Sequence, residues 1–196
     1  MSLAEYRAHY SVWSILASPL LLSADLRSLE DDHPECLDLL LNADIVAVNQ
    51  DEGGHAPRLL RQEMRQPATP EHLDNTTGTG ATPLLDPRLG PHGAKPQPTD
   101  VLVQVFARPL GEQPNLALEG GEWAVLLLNR DEHAREIAVS WKELGVDDAT
   151  LPLHVFDIIS RKHLQSAVQG RYSALVSSHD VAFVRLTHAV RSQFTI

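Results

Sequence analysis

Residues 3–23 read LAEYRAHYSVWSILASPLLLS. Tyr6, Tyr10, Trp13 and Ala17 fall at i, i+4, i+7 and i+11, with Arg7, Ser11, Ser14 and Ser18 mostly on other faces. That spacing predicts a helix over 3–17 with one wide apolar stripe. Ser2 stands where an N-cap belongs, and Glu5 follows at the capping-box distance. Pro19 stops the helix, because it has no N–H to donate. Leu20–Ser23 is then a short continuous apolar run, the pattern of a strand buried on both faces. The run Val12–Leu22, with Arg7 before it and Ser23-Ala24 after it, also has a signal-peptide outline. It is too short to span a bilayer, and the periodicity ahead of it favours a buried helix running into a strand.

Working outward, Ser28–Asp32 is polar and acidic, and His33-Pro34 opens a second predicted helix with proline in its first turn. Leu37, Leu40 and Leu41 follow at helical spacing, with Asn42 as the C-cap, and Asp44–Val48 (DIVAV) reads as another strand. Residues 1–50 thus alternate α, β, α, β, the grammar of α/β proteins. Prolines at 67, 70, 83, 87, 91, 96 and 98, with Gly78, Gly80, Gly90 and Gly93 among them, make 62–100 a long loop without periodicity. Asn75-Thr76-Thr77 within it matches the N-glycosylation tripeptide. Beyond residue 100 the chain reads as short strands at 101–107, 122–129, 135–141, 151–158, 163–168, 170–176 and 180–187, which suggests an all-β sandwich or barrel. In the last of these, Val181, Phe183 and Arg185 alternate with Ala182, Val184 and Leu186, so one face ends in a charge.

The chain has 196 residues, 43% of them hydrophobic, enough for a sizeable core in one or two domains. A complete (β/α)8 barrel takes roughly 250 residues, so this length does not hold one plus a second domain. Sixteen Lys+Arg against 26 Asp+Glu give a net charge of −10, and no basic cluster is present. Nucleic acid and anionic membrane surfaces are therefore not expected partners. Cys36 is the only cysteine, which rules out an internal disulfide and any CxxC site.

Most carboxylates fall in runs, such as Glu30-Asp31-Asp32 and Asp131-Glu132, which read as solvated turns. Asp25 differs, because it follows the apolar run Leu20–Leu22 at the end of an expected parallel strand, where α/β folds place their sites. The favoured reading is still a loop carboxylate that pairs with Arg27 or caps the next turn. None of the ten histidines has a two-ligand spacing. His33, His72, His92 and His133 lie in polar segments, His9 beside the apolar stripe as a packing residue, and His179 in a turn. There is no GxSxG, no GxGxxG and no P-loop, and Cys36 has no evident base. No metal and no cofactor is expected.

One further pattern covers most of the chain. Glu5-Tyr6-Arg7-Ala8-His9-Tyr10-Ser11-Val12-Trp13, Ala17-Ser18-Pro19-Leu20-Leu21-Leu22, Asp25-Leu26-Arg27 and Val46-Ala47-Val48-Asn49-Gln50-Asp51 resemble, in order and spacing, a run in the α-galactosidases of glycoside hydrolase family 27. Phe106-Ala107-Arg108-Pro109-Leu110, Trp123-Ala124-Val125, Leu128-Asn129-Arg130, Val139-Ser140-Trp141 and Val155-Phe156-Asp157-Ile158 look like that family's C-terminal antiparallel domain. The stretch 62–100 looks like an insertion where the family has a short connection. After Asp51 the family continues Pro-Leu-Gly, whereas this chain has Glu52-Gly53-Gly54, a departure that bears on the interdomain corner.

The resemblance implies an α/β barrel remnant followed by an all-β antiparallel sandwich. Residues 1–55 would hold the penultimate helix of a TIM barrel, its eighth strand near 20–24, its eighth helix near 34–42 and an exit strand; 101–190 would be the sandwich. It also implies a retaining hydrolase acting on terminal α-galactosides, with two catalytic aspartates set roughly 5–5.5 Å apart. Neither aspartate motif occurs in this sequence, so no catalytic or substrate-binding residue is carried over, and the chain alone is expected to be inactive. The motifs are shared with α-N-acetylgalactosaminidases; some members are homodimers, and many are secreted or lysosomal. The alternative is a non-catalytic sandwich module that binds carbohydrate or a partner. It would need exposed aromatic platforms, and Trp123 and Trp141 lie in strand patterns that place them in the core.

Overall fold

A computed structural model of the chain describes residues 1–23, 25–65 and 101–189. The first sixty residues hold four helices, α1 (Leu3–Ile15), α2 (Leu26–Asp32), α3 (Pro34–Leu40) and α4 (Ala43–Asn49). Strand β1 (Arg58–Met64) follows, then β2 (Val101–Leu110), β3 (Glu122–Asn129), β4 (Arg135–Ser140), β5 (Leu153–Asp157), β6 (Lys162–Val168), β7 (Arg171–Val176) and β8 (Val181–His188). Seven of these eight strands stand where alternation predicts them. Six form one antiparallel sheet in the order β1-β2-β3-β8-β5-β6, and β4 and β7 form a two-stranded ribbon.

The sheet is the middle of three layers, which explains why β3 is apolar on both faces. Trp123, Val125 and Leu127 point with Val184 and Leu186 toward the ribbon, where they meet Ile137, Val139, Trp141 and Tyr172. Ala124, Leu126 and Leu128 point the other way, with Phe183, against Ile15, Leu39, Ile45 and Val48 of the helices. Side chains alternate along a strand, so each central strand feeds two separate cores. Arg185, the charge that ends one face of β8, reaches Asp44 of α4 at 3.1 Å and Glu122 of β3 at 3.4 Å, with its guanidinium 4.8 Å from the Phe156 ring centroid. A cation at that point joins helix to sheet and does not break the face.

Several expectations for residues 1–50 are overturned. The capping box of α1 is present, with Ser2 and Glu5 bonding reciprocally. The helix ends before Pro19, however, through a Schellman motif: Ala17 takes a φ of +51°, its N–H donates to the Ser14 carbonyl, and the Ser18 N–H donates to that of Trp13. The buried face of α1 is not the aromatic stripe but Ser11, Ser14 and Ile15; small side chains let the helix lie close on β3 and β8. Leu20–Ser23 is not a strand, and Leu21 is 85% exposed and Leu22 57% exposed. A doubly buried parallel strand needs a neighbour on each side, and no described residue supplies one.

Ser28–Asp32 lies in a helix, α2, whose N-cap is Asp25. Asp44–Val48 is helical too, because Asn42 acts as an N-cap and not as a C-cap: its side-chain oxygen accepts from the N–H groups of Asp44 and Ile45. A short apolar run reads equally as strand or helix by periodicity, and here the cap decides. So the segment is all-helical where α, β, α, β alternation was expected. Residues 62–64, assigned to the long loop, belong to strand β1, paired to β2. From residue 66 onward that loop, with Asn75, His72 and His92, lies outside the described residues.

Candidate functional site

The corner between helices and sheet is turned by Asp51–Gly54. Asp51 accepts the Gly111 N–H on Oδ1 at 2.8 Å, and Gly54 has a φ of +63°. A Cβ on Gly53 would lie 2.1 Å from the Gly111 carbonyl oxygen, so the approach of these two chain segments requires glycine there. This is how Glu52-Gly53-Gly54 turns the corner in place of Pro-Leu-Gly.

Polar bridges then hold the helices on the sheet. Arg108 sits on β2 between Ala107 and Pro109, 2% exposed, and donates Nη1 to the Val48 carbonyl at 2.7 Å and Nε to the His55 carbonyl at 2.9 Å. Val48 lies in the last turn of α4, where carbonyls lack intrahelical partners and a cation is favoured. Arg7 of α1 pairs with Asp180 through Nε at 3.1 Å and through Nη2, and this carboxylate holds the guanidinium above its ordinary pKa. Asn42 donates to the carbonyls of Ile158 and Ile159, both at 3.0 Å. Asn49 donates to the Ser18 carbonyl at 2.9 Å and so anchors the end of α1. None of these roles was assigned from sequence. The available signal was a lone arginine inside the apolar strand VLVQVFARPL.

A concavity lies on the other side of the helices. It is an open cleft of about 650 Å³ between α1, the 20–23 segment, α2 and α3. Tyr6 and Trp13 of α1 border it at 42% and 40% exposure, with His9 packed edge-on against Trp13, ring centroids 5.3 Å apart. Its wall is mostly apolar, with Asp25 and Glu35 among the residues that line it. Asp25 behaves as the loop carboxylate expected: it caps α2, accepting the Arg27 N–H at 3.0 Å and the Arg27 guanidinium at 2.9 and 2.7 Å. Those side-chain and backbone bonds lower its pKa, the wrong direction for a proton donor. Cys36 borders the same cleft, and burial, then Glu35, raise its thiol pKa, so it lacks the thiolate character of a nucleophile.

Three other histidines stand in links and turns. His33 links α2 to α3, His133 lies 3.9 Å from Asp131, and His179, with φ +54°, places Nε2 3.2 Å from Glu132. Among the described residues no group of three His, Cys, Asp or Glu side chains is arranged to hold a metal ion. No described helix is long and apolar enough to cross a membrane. Trp123 and Trp141 lie in the core between sheet and ribbon, donating their indole N–H to the carbonyls of Pro114 at 2.8 Å and Leu151 at 2.9 Å.

Two family models match the chain. Residues 1–51 match the model described as Alpha galactosidase A, and residues 102–186 match the alpha galactosidase C-terminal beta sandwich domain. Among curated relatives, the α-galactosidase of Cyamopsis tetragonoloba is 28% identical over 187 residues, covering 95% of this chain and 33% of the relative. The chain thus spans about a third of the length of the curated relatives it matches first. α-Galactosidase I from Mortierella vinacea shares the fold with a TM-score of 0.66 at 20% identity, over 96% of this chain and 36% of that one. A family 27 β-L-arabinopyranosidase from Geobacillus stearothermophilus gives 0.66 at 19%, over 99% and 32%. Together these matches place the chain in the α-galactosidase family of glycoside hydrolases, family 27, over the C-terminal portion of its relatives.

Proposed function

We propose that this chain forms the end of the catalytic barrel and the C-terminal sandwich of a retaining glycosidase that hydrolyses terminal α-D-galactosyl residues. In this reading residues 1–55 complete the barrel, 62–100 are an insertion, and 101–190 are the sandwich against which the barrel is braced. One observation carries it. The helices are fixed to the sheet by a buried core and by Arg7, Asn42 and Arg108, while their opposite side leaves Trp13, Leu21 and Leu22 exposed. A helical layer apolar on both sides is built to lie between two bodies, and here one of the two is the sandwich.

Retaining hydrolysis needs a carboxylate nucleophile and a carboxylic acid across the glycosidic bond. The carboxylates bordering the cleft are committed to capping and pairing, or stand at its rim. The 196-residue chain alone is therefore assigned no turnover. The test has two arms. The purified chain should release no phenol from an aryl α-galactoside, and steady turnover would refute the assignment. A chimera carrying the first two thirds of the Cyamopsis tetragonoloba relative ahead of this chain should hydrolyse the same substrate; a soluble, folded chimera without activity would refute the family role. The alternative of a non-catalytic sandwich module that binds carbohydrate gains no support from Trp123 and Trp141, which offer no exposed face.

A further inference from the structure

We infer that a second cavity, at the seam between the helices and the sandwich, binds a neutral saccharide. The cavity measures about 410 Å³, within the range of roughly 300–1,000 Å³ usual for small-ligand sites. It lies on the sandwich side of the helices. Leu3 and Arg7, which line it, precede Ser11 and Ser14 at steps of four, four and three along α1, so they continue the side of that helix that faces the sheet. Leu39 of α3, part of the core shared with the sheet, forms an apolar floor with Leu3 and Ile159. Ile159 and Arg161 belong to the turn between β5 and β6, so the sandwich itself supplies one wall. The inference therefore does not rest on the barrel reading.

The charges of the cavity select the ligand. Arg7 and Arg161 bring two positive charges to it, and Glu35 and Asp38 bring two negative ones. These four do not neutralise one another. Arg7 gives Nε and Nη2 to Asp180 of the sandwich, which leaves Nη1. Arg161 donates Nη2 to the Leu41 carbonyl at 3.2 Å and has no carboxylate within 4 Å among the described residues. Glu35 has only His33 near it, at 4.0 Å. Asn42 also lines the cavity, but its amide is spent on the Ile158 and Ile159 carbonyls and on the N–H groups of Asp44 and Ile45. Recognition thus falls to the charged groups. Arg161 holds a φ of +56°, in a turn that glycine or asparagine would fill without strain. Arginine there places a forked donor at the seam. An anion in the cavity would meet Glu35 and Asp38, and a cation would meet Arg7 and Arg161. A sugar hydroxyl both donates and accepts, and two neighbouring hydroxyls span the fork of a guanidinium or of a carboxylate. The apolar floor suits the C–H face of a pyranose ring.

The experiment uses the full 196-residue chain with labelled isoleucine and leucine methyl groups, followed by nuclear magnetic resonance. The probes are galactose, galacturonate and protonated galactosamine, which share one ring and differ in charge. Ile159 is the reporter, because it borders this cavity and not the cleft beside Trp13; Leu21 and Leu22 report on that cleft. Galactose should shift the Ile159 methyl groups saturably, in the millimolar range, and leave Leu21 and Leu22 unmoved. Both charged sugars should bind more weakly. Arg161→Asn suits the left-handed turn, and Asp38→Asn changes an exposed position of α3. Each should weaken galactose roughly tenfold, the loss of one hydrogen bond to a charged group. No saturable shift at Ile159, equal or tighter binding of either charged sugar, shifts confined to Leu21 and Leu22, or unchanged affinity in either variant would each overturn the inference. None of these readouts depends on hydrolysis, so sugar binding at the seam can fail while the chimera is active, and the reverse.

Discussion

Replacing Arg108 by Met tests whether a polar lock or mere apolar contact holds α4 on the sheet. The side chain is 2% exposed and makes two hydrogen bonds to backbone carbonyls, at 2.7 Å to Val48 and 2.9 Å to His55. A hydrogen bond from a charged donor contributes about 1.5–3 kcal/mol, so the pair amounts to about 3–6 kcal/mol. Methionine fills much of the same volume and removes the desolvation cost of a buried cation, which offsets part of the loss. The expected net destabilisation is about 2–4 kcal/mol. Arg108→Lys keeps the charge but not the forked geometry, and should cost about 1.5–3 kcal/mol. Urea denaturation followed by both tryptophan emission and far-ultraviolet circular dichroism would measure both variants. A Met variant within about 0.5 kcal/mol of wild type would show that surface substitution rules apply here and that the lock does not matter.

Two further changes follow from local geometry. Ala17 holds a left-handed conformation at the end of α1, with φ +51°, a position that suits glycine; Ala17→Gly should stabilise the chain by about 0.5–1 kcal/mol, measured as a higher urea midpoint, and a lower midpoint would contradict the strain. Asp131 is held below its ordinary pKa by the Arg135 guanidinium, bonded at 2.6 Å, then by the Glu132 N–H. A lowered carboxylate pKa stabilises the fold above the unfolded value of about 4 and loses that contribution as pH falls through the folded value. The stability gap between wild type and Asp131→Asn should thus be open at pH 7 and close toward pH 3; a gap independent of pH would refute this assignment.

Legibility in the sequence followed the physics of each signal. Strands β2 to β8 were legible because alternation and turn residues are local, and their pairing needed nothing beyond the chain. The Ser2–Glu5 capping box and the Asp25–Arg27 pairing were legible for the same reason. The run DIVAV was not, because four or five apolar residues carry no period of their own; only Asn42 as N-cap and the burial of Ile45 and Val48 on one side show the helix. The stripe Tyr6-Tyr10-Trp13 was legible as apolar, but what it would contact was not. Sequence periodicity marks a face as apolar without saying what covers it, and the sheet takes the Ser11, Ser14 and Ile15 side instead.

The amino-acid sequence by itself determined the family, the antiparallel sandwich and the lack of both aspartate motifs, because these depend on residue order and spacing alone. Tertiary structure decided which side of α1 meets the sheet, that Leu20–Ser23 stays out of any strand, and that Gly53 and Arg108 close the corner between helices and sandwich. Each of these depends on which partners come within reach, and partners distant in sequence leave no local period. A strand that needs two flanking strands is specified only when they are present, which is why the same apolar run that reads as a buried strand stands here as the open wall of a cleft.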